Sequence, residues 1–186
     1  MYTYSKIIDS ARNLFNKYGY KKVSMDEIAY EAGVTKKTVY SYFNDKDSLF
    51  EFFVNEQIQN MKDIYEKYDK ENKDITEKFH NIIFALVKYK KESEFLNLII
   101  KEATLLKTKS MINFSNKIDE SIKSFIKEKI QILLDNKLIK NIDIELGTFI
   151  VYNLYFSIMF NYPQDKMDEK IISDTVTTIL KDGLFN

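Results

Sequence analysis

Apolar residues recur along most of the chain at spacings of three and four, the rhythm of one face of an α-helix. Ile7, Ala11, Leu14, Phe15 and Tyr18 form such a stripe near the start, and Gly19 follows where a left-handed C-terminal cap is expected. Ser24 and Glu27, three residues apart, make a capping box. It opens a second helix through Ile28, Ala29 and Ala32 that stops at Gly33. Thr35 caps a third short helix, which turns Val39 and Phe43 inward. Asn44 or Asp45 then caps a fourth helix running to about Tyr68, with Phe50, Val54, Ile58, Met61 and Tyr65 in step. At 1.5 Å per residue that helix is about 35 Å long, enough to join two domains.

Further helices are expected over residues 74–90, 93–107, 109–136, 143–162 and 165–183. Polar breaks at 69–74 and 136–143, and the pair Pro163 and Gln164, separate them. Residues 144–162 are apolar nearly all round, with Phe149, Tyr152, Tyr155, Phe156 and Phe160. Lipid would leave Glu145, Thr148, Asn153, Ser157 and Asn161 unsatisfied, so this is a buried helix of a soluble protein and no membrane span. A helix without a wet face is covered on all sides. In so short a chain, that means its own domain on one side and a partner subunit on the other. The last helix adds a stripe of Met167, Ile171, Thr175 and Ile179, widened by Ile172 and Val176. Two such helices from each of two chains make a four-helix interface about a two-fold axis. Its expected residues are Phe149, Tyr152, Phe156, Phe160, Ile171, Thr175 and Ile179.

Composition narrows the chemistry. The 186 residues include only 4 glycines and 1 proline, too few turn formers for a parallel sheet or a β-sandwich, so the fold class is all-α. Cysteine is absent, which excludes disulfides, thiolate nucleophiles and cysteine-based zinc sites. A lone histidine leaves little for metal or triad chemistry. No catalytic residues, metal or cofactor are therefore expected, and the chain does not read as an enzyme. Residues 1–14 lack a basic cap followed by an apolar run, so a cytoplasmic location is expected. Basic and acidic residues balance at 28 each, but residues 1–50 carry 8 basic against 6 acidic side chains. Neutrality thus hides a slightly basic head.

Residues 24–43 have the features of a helix-turn-helix. Ala29 is small enough to let two helices approach, and Gly33 supplies the backbone freedom of a sharp turn. Ile28, Val34 and Val39 fix the crossing. The second helix then exposes Lys36, Lys37, Thr38, Tyr40 and Tyr42, donors suited to the major groove and its flanking phosphates. Seven of the 13 tyrosines fall in the first 50 residues, and their hydroxyls are good phosphate donors.

Residues 6–50 resemble the DNA-binding domain of the tetracycline-repressor (TetR) family. The matching residues are Leu14-Phe15, Gly19-Tyr20, Ile28-Ala29, Ala32-Gly33-Val34, the pair Tyr40 and Phe43, and Lys46. The resemblance implies a homodimer with an N-terminal three-helix DNA-binding domain, residues 1–47, joined by the long helix to a C-terminal helical domain, residues 48–186. In the family the latter binds a small-molecule effector and dimerises. Carried onto this sequence, the resemblance assigns Thr35, Lys36, Lys37, Thr38, Tyr40 and Tyr42 to base or phosphate contacts. It assigns Lys46 to a phosphate, and Ser24 and Met25 to a phosphate at the start of the second helix. Lys37 stands where glycine is frequent and Tyr42 where histidine is frequent, so no operator can be borrowed from a relative.

The implied function is a ligand-responsive transcriptional repressor that holds a palindromic DNA operator and is released by a small molecule. The alternative is an architectural or recruitment protein whose C-terminal domain binds a protein partner. For the effector pocket the candidates are Tyr65, His80, Phe84 and Asn153. His80 is either a polar anchor in that pocket or a satisfied core histidine, and Asn153 either faces the pocket or bonds across the dimer.

Overall fold

The structure, a computed structural model, describes residues 2–71, 73–105 and 109–184. Every regular element among them is helical: α1 (Tyr2–Tyr18), α2 (Met25–Glu31), α3 (Lys36–Tyr42), α4 (Lys46–Asp69), α5 (Ile75–Glu92), α6 (Glu94–Leu105), α7 (Lys109–Asp135), α8 (Ile144–Phe156) and α9 (Glu169–Leu184). Residues 106–107, at the end of the expected 93–107 helix, lie outside the described residues. The expected 143–162 helix ends its α-helical part at Phe156 and continues as a wider π-turn, Ser157–Asn161, closed by the Tyr162 amide on the Ser157 carbonyl at 2.8 Å. Pro163 follows and ends that path, and a short 3-10 turn, Gln164–Lys166, comes next.

Local chemistry explains the boundaries. Ser24 and Glu27 form the full capping box: the Glu27 amide donates to Ser24 Oγ, and the Ser24 amide donates to the Glu27 carboxylate at 2.7 Å. Asp45, not Asn44, caps α4, accepting the Ser48 amide at 2.7 Å. Asp74 and Asp143 do the same for α5 and α8. At the end of α2 the Gly33 amide bonds to the Tyr30 carbonyl and the Val34 amide to the Ala29 carbonyl, both at 3.0 Å. These two bonds are the Schellman pair, and they need the φ of +65° found at Gly33. Gly19 departs from the expected left-handed cap. Its φ of 79° is paired with a ψ of 157°, so the chain leaves α1 extended, in a region open essentially to glycine alone.

The chain forms two compact units. Unit 1 comprises residues 1–57 and 94–114, and unit 2 comprises residues 58–93 and 115–186. The division therefore falls after Gln57 and not after residue 47, and α6 joins the N-terminal unit. The reason is packing. Leu49, Phe50, Phe53 and Val54 of α4 are buried with Ile7, Ala11 and Phe15 of α1. Phe53 stands edge-on to both Phe15 and Phe95, with ring centres 5.9 and 5.1 Å apart. Arg12, the chain's one arginine, lies over the rings of Phe53 and Phe95 and donates to both oxygens of Glu56 at 2.8 and 2.7 Å. The first half of α4 and the start of α6 thus complete the core that α1 begins.

In unit 2, α5 packs along α9 around Val87, Met167, Ile172 and Val176. Ile130 and Ile139 centre a second cluster with Phe79, Ile126, Ile142 and Val151. Helix α8 turns Gly147, Thr148 and Tyr152 inward. Its opposite face is bare: Leu146, Phe149 and Ile150 are 57%, 61% and 52% exposed. Coverage on all sides is therefore not achieved within one chain, because no other described helix of the unit packs over that face. None of the described helices is long and apolar enough to cross a membrane.

The Gly33 turn has open space around it. Nothing lies within 4 Å of the point a Cβ would occupy, so any cost of substitution there is conformational. Gly33→Ala should lower stability by about 1 kcal/mol, the left-handed penalty less the entropy gained in the unfolded chain. Gly33→Asn should recover part of it, and urea titration of both variants measures the difference.

Candidate functional site

Helices α2 and α3 pack on each other through Ile28, Ala29 and Val39, all buried. Burial of Val39 rotates the remaining α3 side chains outward. Lys36, Lys37 and Tyr40 are exposed along one side, with Thr35 at the helix start. Thr35 accepts the Thr38 amide at 3.1 Å, and the two threonine hydroxyls lie 2.8 Å apart. Lys36 pairs with Asp26 of α2 at 2.8 Å, which raises its pKa, and its ammonium lies 5.8 Å from the Tyr40 ring. Lys37 is exposed and makes no ion pair with a described residue. Tyr42 is exposed but its ring is held edge-on by Tyr4 of α1, centre to centre 5.4 Å.

The structure separates the other candidates by role. Ser24 is exposed, with its hydroxyl committed to the Glu27 box. The side chain of Met25 is buried in the core, so only its backbone amide is available at the start of α2. Lys46 is half-buried. Its ammonium donates to the carbonyls of Tyr20 at 2.9 Å and Val23 at 2.8 Å, and lies over the Tyr20 ring. Desolvation lowers its pKa. In this geometry Lys46 ties the α1–α2 connection to the start of α4. Beside it, the Tyr20 hydroxyl donates to Asp47. Burial first, then that bond and the charge of Asp47, push the tyrosine hydroxyl well above its usual value.

Unit 2 holds a partly open cavity of about 180 Å³. Phe79, Ile82, Ile83 and Leu86 of α5 line it, and Met61 and Tyr65 of α4, Phe125 of α7 and Tyr155 of α8 complete much of the wall. Of the expected pocket residues only Tyr65 belongs to the lining. His80 sits one position round α5, with Nε2 2.8 Å from Asp174 Oδ1 and 3.1 Å from Ser173 Oγ of α9. Phe84 stacks on the His80 ring. His80 therefore belongs to the α5–α9 contact, and neither residue lines the cavity. Asn153 points outward and bonds to the Phe149 carbonyl at 2.7 Å, one turn back on its own helix. Lys62 and Lys129 do line the cavity, and the sequence pattern does not single them out.

The family described as "Bacterial regulatory proteins, tetR family" matches residues 7–51. The segment spans the capping box, the Gly33 turn and α3. Over 175 residues the chain is 27% identical to the HTH-type transcriptional regulator YhgD of Bacillus subtilis, covering 94% of this chain and 91% of that one. Residues 7–51 are thus a TetR-family DNA-binding domain, and along its length the chain is similar to an HTH-type transcriptional regulator. Solved structures share the fold over the whole length. The complex of SmeT, from Stenotrophomonas maltophilia, with triclosan superposes with a TM-score of 0.79 at 13% identity, over 100% of this chain and 93% of that one. FadR of Bacillus subtilis, in complex with stearoyl-CoA, gives 0.72 at 18% identity, over 97% and 98%.

The expected TetR-type dimer residues divide. Phe149, Ile171, Thr175 and Ile179 are exposed on α8 and α9. Phe156 and Phe160 are half-buried and stacked, with ring centres 4.6 Å apart. Tyr152 is buried within its own unit and donates to Asp119 at 2.7 Å, so its hydroxyl is turned away from any partner. Tyr4 and the Tyr20–Asp47 pair also escape a reading by pattern. A tyrosine's partner from a distant helix leaves no local spacing to read.

Because the folded chain holds the Tyr20 proton more tightly than the unfolded chain does, that contribution is whole below the unfolded tyrosine value of about 10 and fades as pH rises past it. Tyr20→Phe should therefore be less stable than the parent at neutral pH, with the gap narrowing above about pH 10. Denaturant titrations at pH 7 and pH 11 compare the two.

Proposed function

We propose that this regulator is a cytoplasmic homodimeric repressor. It holds a palindromic operator through α3 of each protomer and is released by a small molecule bound in the cavity of unit 2. The observation that carries the reading is the outer face of α3. Lys37 and Tyr40 stand exposed on a helix whose opposite side is locked into a core, the arrangement that reads base edges and phosphates. Thr35, Lys36, Thr38 and Tyr42 flank that face, and the Met25 amide offers a phosphate donor at the start of α2, which Ser24 would join by releasing Glu27. Lys46 contributes by fixing α4 beneath the motif, and would meet a phosphate only by exchanging a carbonyl partner.

Dimerisation is supported by the bare apolar faces of α8 and α9, where Ile171 and Ile179 are 63% and 65% exposed beside Leu146 and Phe149. Large apolar patches of this kind mark interaction sites, and a two-fold pairing presents two recognition helices to a two-fold operator. Successive major grooves repeat every ~34–36 Å, so a small change in helix separation breaks the fit. Helix α4 supplies the lever. It carries Met61 and Tyr65 in the cavity wall and Lys46 at its other end. A ligand that prefers one position of that wall shifts the population toward it. The relatives support a small ligand: SmeT was solved with triclosan and FadR with stearoyl-CoA. The apolar cavity favours this over the recruitment-protein alternative, which calls for no internal space.

Gel-shift and anisotropy measurements with DNA from upstream of the gene test the reading. Binding should weaken steeply with salt, and failure to bind any site in a salt-dependent way would refute it. Tyr40→Phe should cost about 1 kcal/mol on all sequences alike, whereas Lys37→Ala should change the preference among them. Phe149→Glu should sediment as a monomer and lose most operator affinity. A variant that stays dimeric would remove α8 from the interface.

A further inference from the structure

We infer that the cavity of unit 2 takes an amphipathic monoanion, a carboxylate on an apolar body of about six to eight carbons, with Lys62 meeting the carboxylate. This rests on reading the cavity as the effector site. The size follows from comparison: an apolar protein cavity of about 150 Å³ holds benzene, and this one measures about 180 Å³. Its walls are almost wholly hydrocarbon, so water inside would find few partners, and a ligand must bring apolar surface.

The polar exceptions lie on α4, α7 and α8. The rings of Tyr65 and Phe125 meet edge-on at 5.3 Å, and both lysines of the lining converge on Phe125. The ammonium of Lys62 lies 5.4 Å from the Phe125 ring centre, and that of Lys129 lies 5.1 Å from it. Their charges are not equivalent. Lys129 is bonded to Glu66 and lies 3.7 Å from Glu128, so carboxylates already answer it. Lys62 donates to the Ser121 hydroxyl at 3.3 Å, and its other contact is the Phe125 face. Neither carries a charge. Among the described residues, Lys62 is thus a half-buried cation at an apolar cavity without a counter-ion.

One unanswered positive charge beside an apolar space selects one negative charge on an apolar ligand. A neutral ligand leaves Lys62 as it is, and a cationic one is repelled. The other polar group in reach adds a donor. Tyr155 lies deep in the unit, and its hydroxyl is spent on the sulfur of Met61 at 3.4 Å, a weak acceptor that a carboxylate oxygen would displace. The carboxylate of Asp119, whose charge reaches Tyr155, is itself bonded by Tyr152 and is not part of the lining. The competing physical account is that Lys62 merely extends its ammonium to solvent along an apolar stem. That account gives Lys62 no part in ligand choice.

Isothermal titration of the full chain with octanoate, octanol and octylamine separates these. Octanoate should bind at least ~10-fold tighter than octanol, and octylamine weakest. Lys62→Met keeps the stem and removes the charge. It should weaken octanoate ~10-fold while leaving octanol within about 2-fold, and Lys62→Arg should restore octanoate. Equal affinity of octanoate and octanol for the parent chain, or octanoate binding untouched in Lys62→Met, overturns the assignment and leaves the cavity as effector site. If none of the three probes binds, the proposal falls. Lys62-dependent octanoate binding that leaves operator affinity unchanged upholds the ligand class and defeats the effector reading. Ile82→Trp, which fills the wall, should abolish binding of both probes; undiminished binding in it would move the site elsewhere and overturn the proposal.

Discussion

One helix has to complete two cores, and most of the architecture follows from how α4 does so. Its stripe carries Leu49, Phe50, Phe53 and Val54 into unit 1, and Met61 and Tyr65 into the cavity wall of unit 2. Each fully buried phenylalanine is worth about 1.5–3 kcal/mol, so Phe50 and Phe53 anchor the first half of the helix by burial. Around Phe53 the anchoring is directional. The Arg12 guanidinium lies over both Phe53 and Phe95 and closes on Glu56, which ties α1, α4 and α6 into one unit. That contact explains why the N-terminal unit extends to Gln57 and recruits α6. A change within α4 therefore bears on the core of unit 1, on the cavity wall of unit 2, or on both.

The DNA-facing motif shows a division of labour among its polar groups. Ser24, Glu27, Thr35 and Gly33 satisfy backbone ends and set where the two short helices start and stop. Lys46 and Tyr20 bind connections together from behind. Lys37 and Tyr40 are left exposed on the outer face of α3. The exposed Lys36–Asp26 pair contributes little to stability, as surface ion pairs do. Helices this short owe their order to caps and to packing, because isolated ones would not persist.

Unit 2 shows where reading by pattern falls short. A helix advances about 100° per residue, so Phe79 and His80 point in quite different directions. The first lines the cavity and the second clamps α5 to α9 through Asp174 and Ser173. The tight aromatic spacing around His80 suggests a pocket, but which side of α5 is hollow depends on α4, α7 and α8. Tyr152 departs from expectation for a similar reason. On a helix apolar all round, nothing local distinguishes the face toward Asp119 from the face left bare at Phe149. Lys62 and Lys129 are ordinary charges along the chain until α7 brings Phe125 between them.

The amino-acid sequence by itself determined the helices, most of their caps, the Gly33 turn and the family motif. Each of these depends on groups a few residues apart: a hydroxyl reaching an amide three positions on, or a glycine adopting a positive φ. Tertiary structure alone decided the division between units, the hollow side of α5, the bare face of α8, and which of the two cavity lysines has a carboxylate partner among the described residues. Those features depend on residues far apart in the chain, such as Arg12 with Phe95 or Lys62 with Ser121. Their meeting is set by how whole helices pack, and periodicity along one helix says which residues share a face but not what that face will meet.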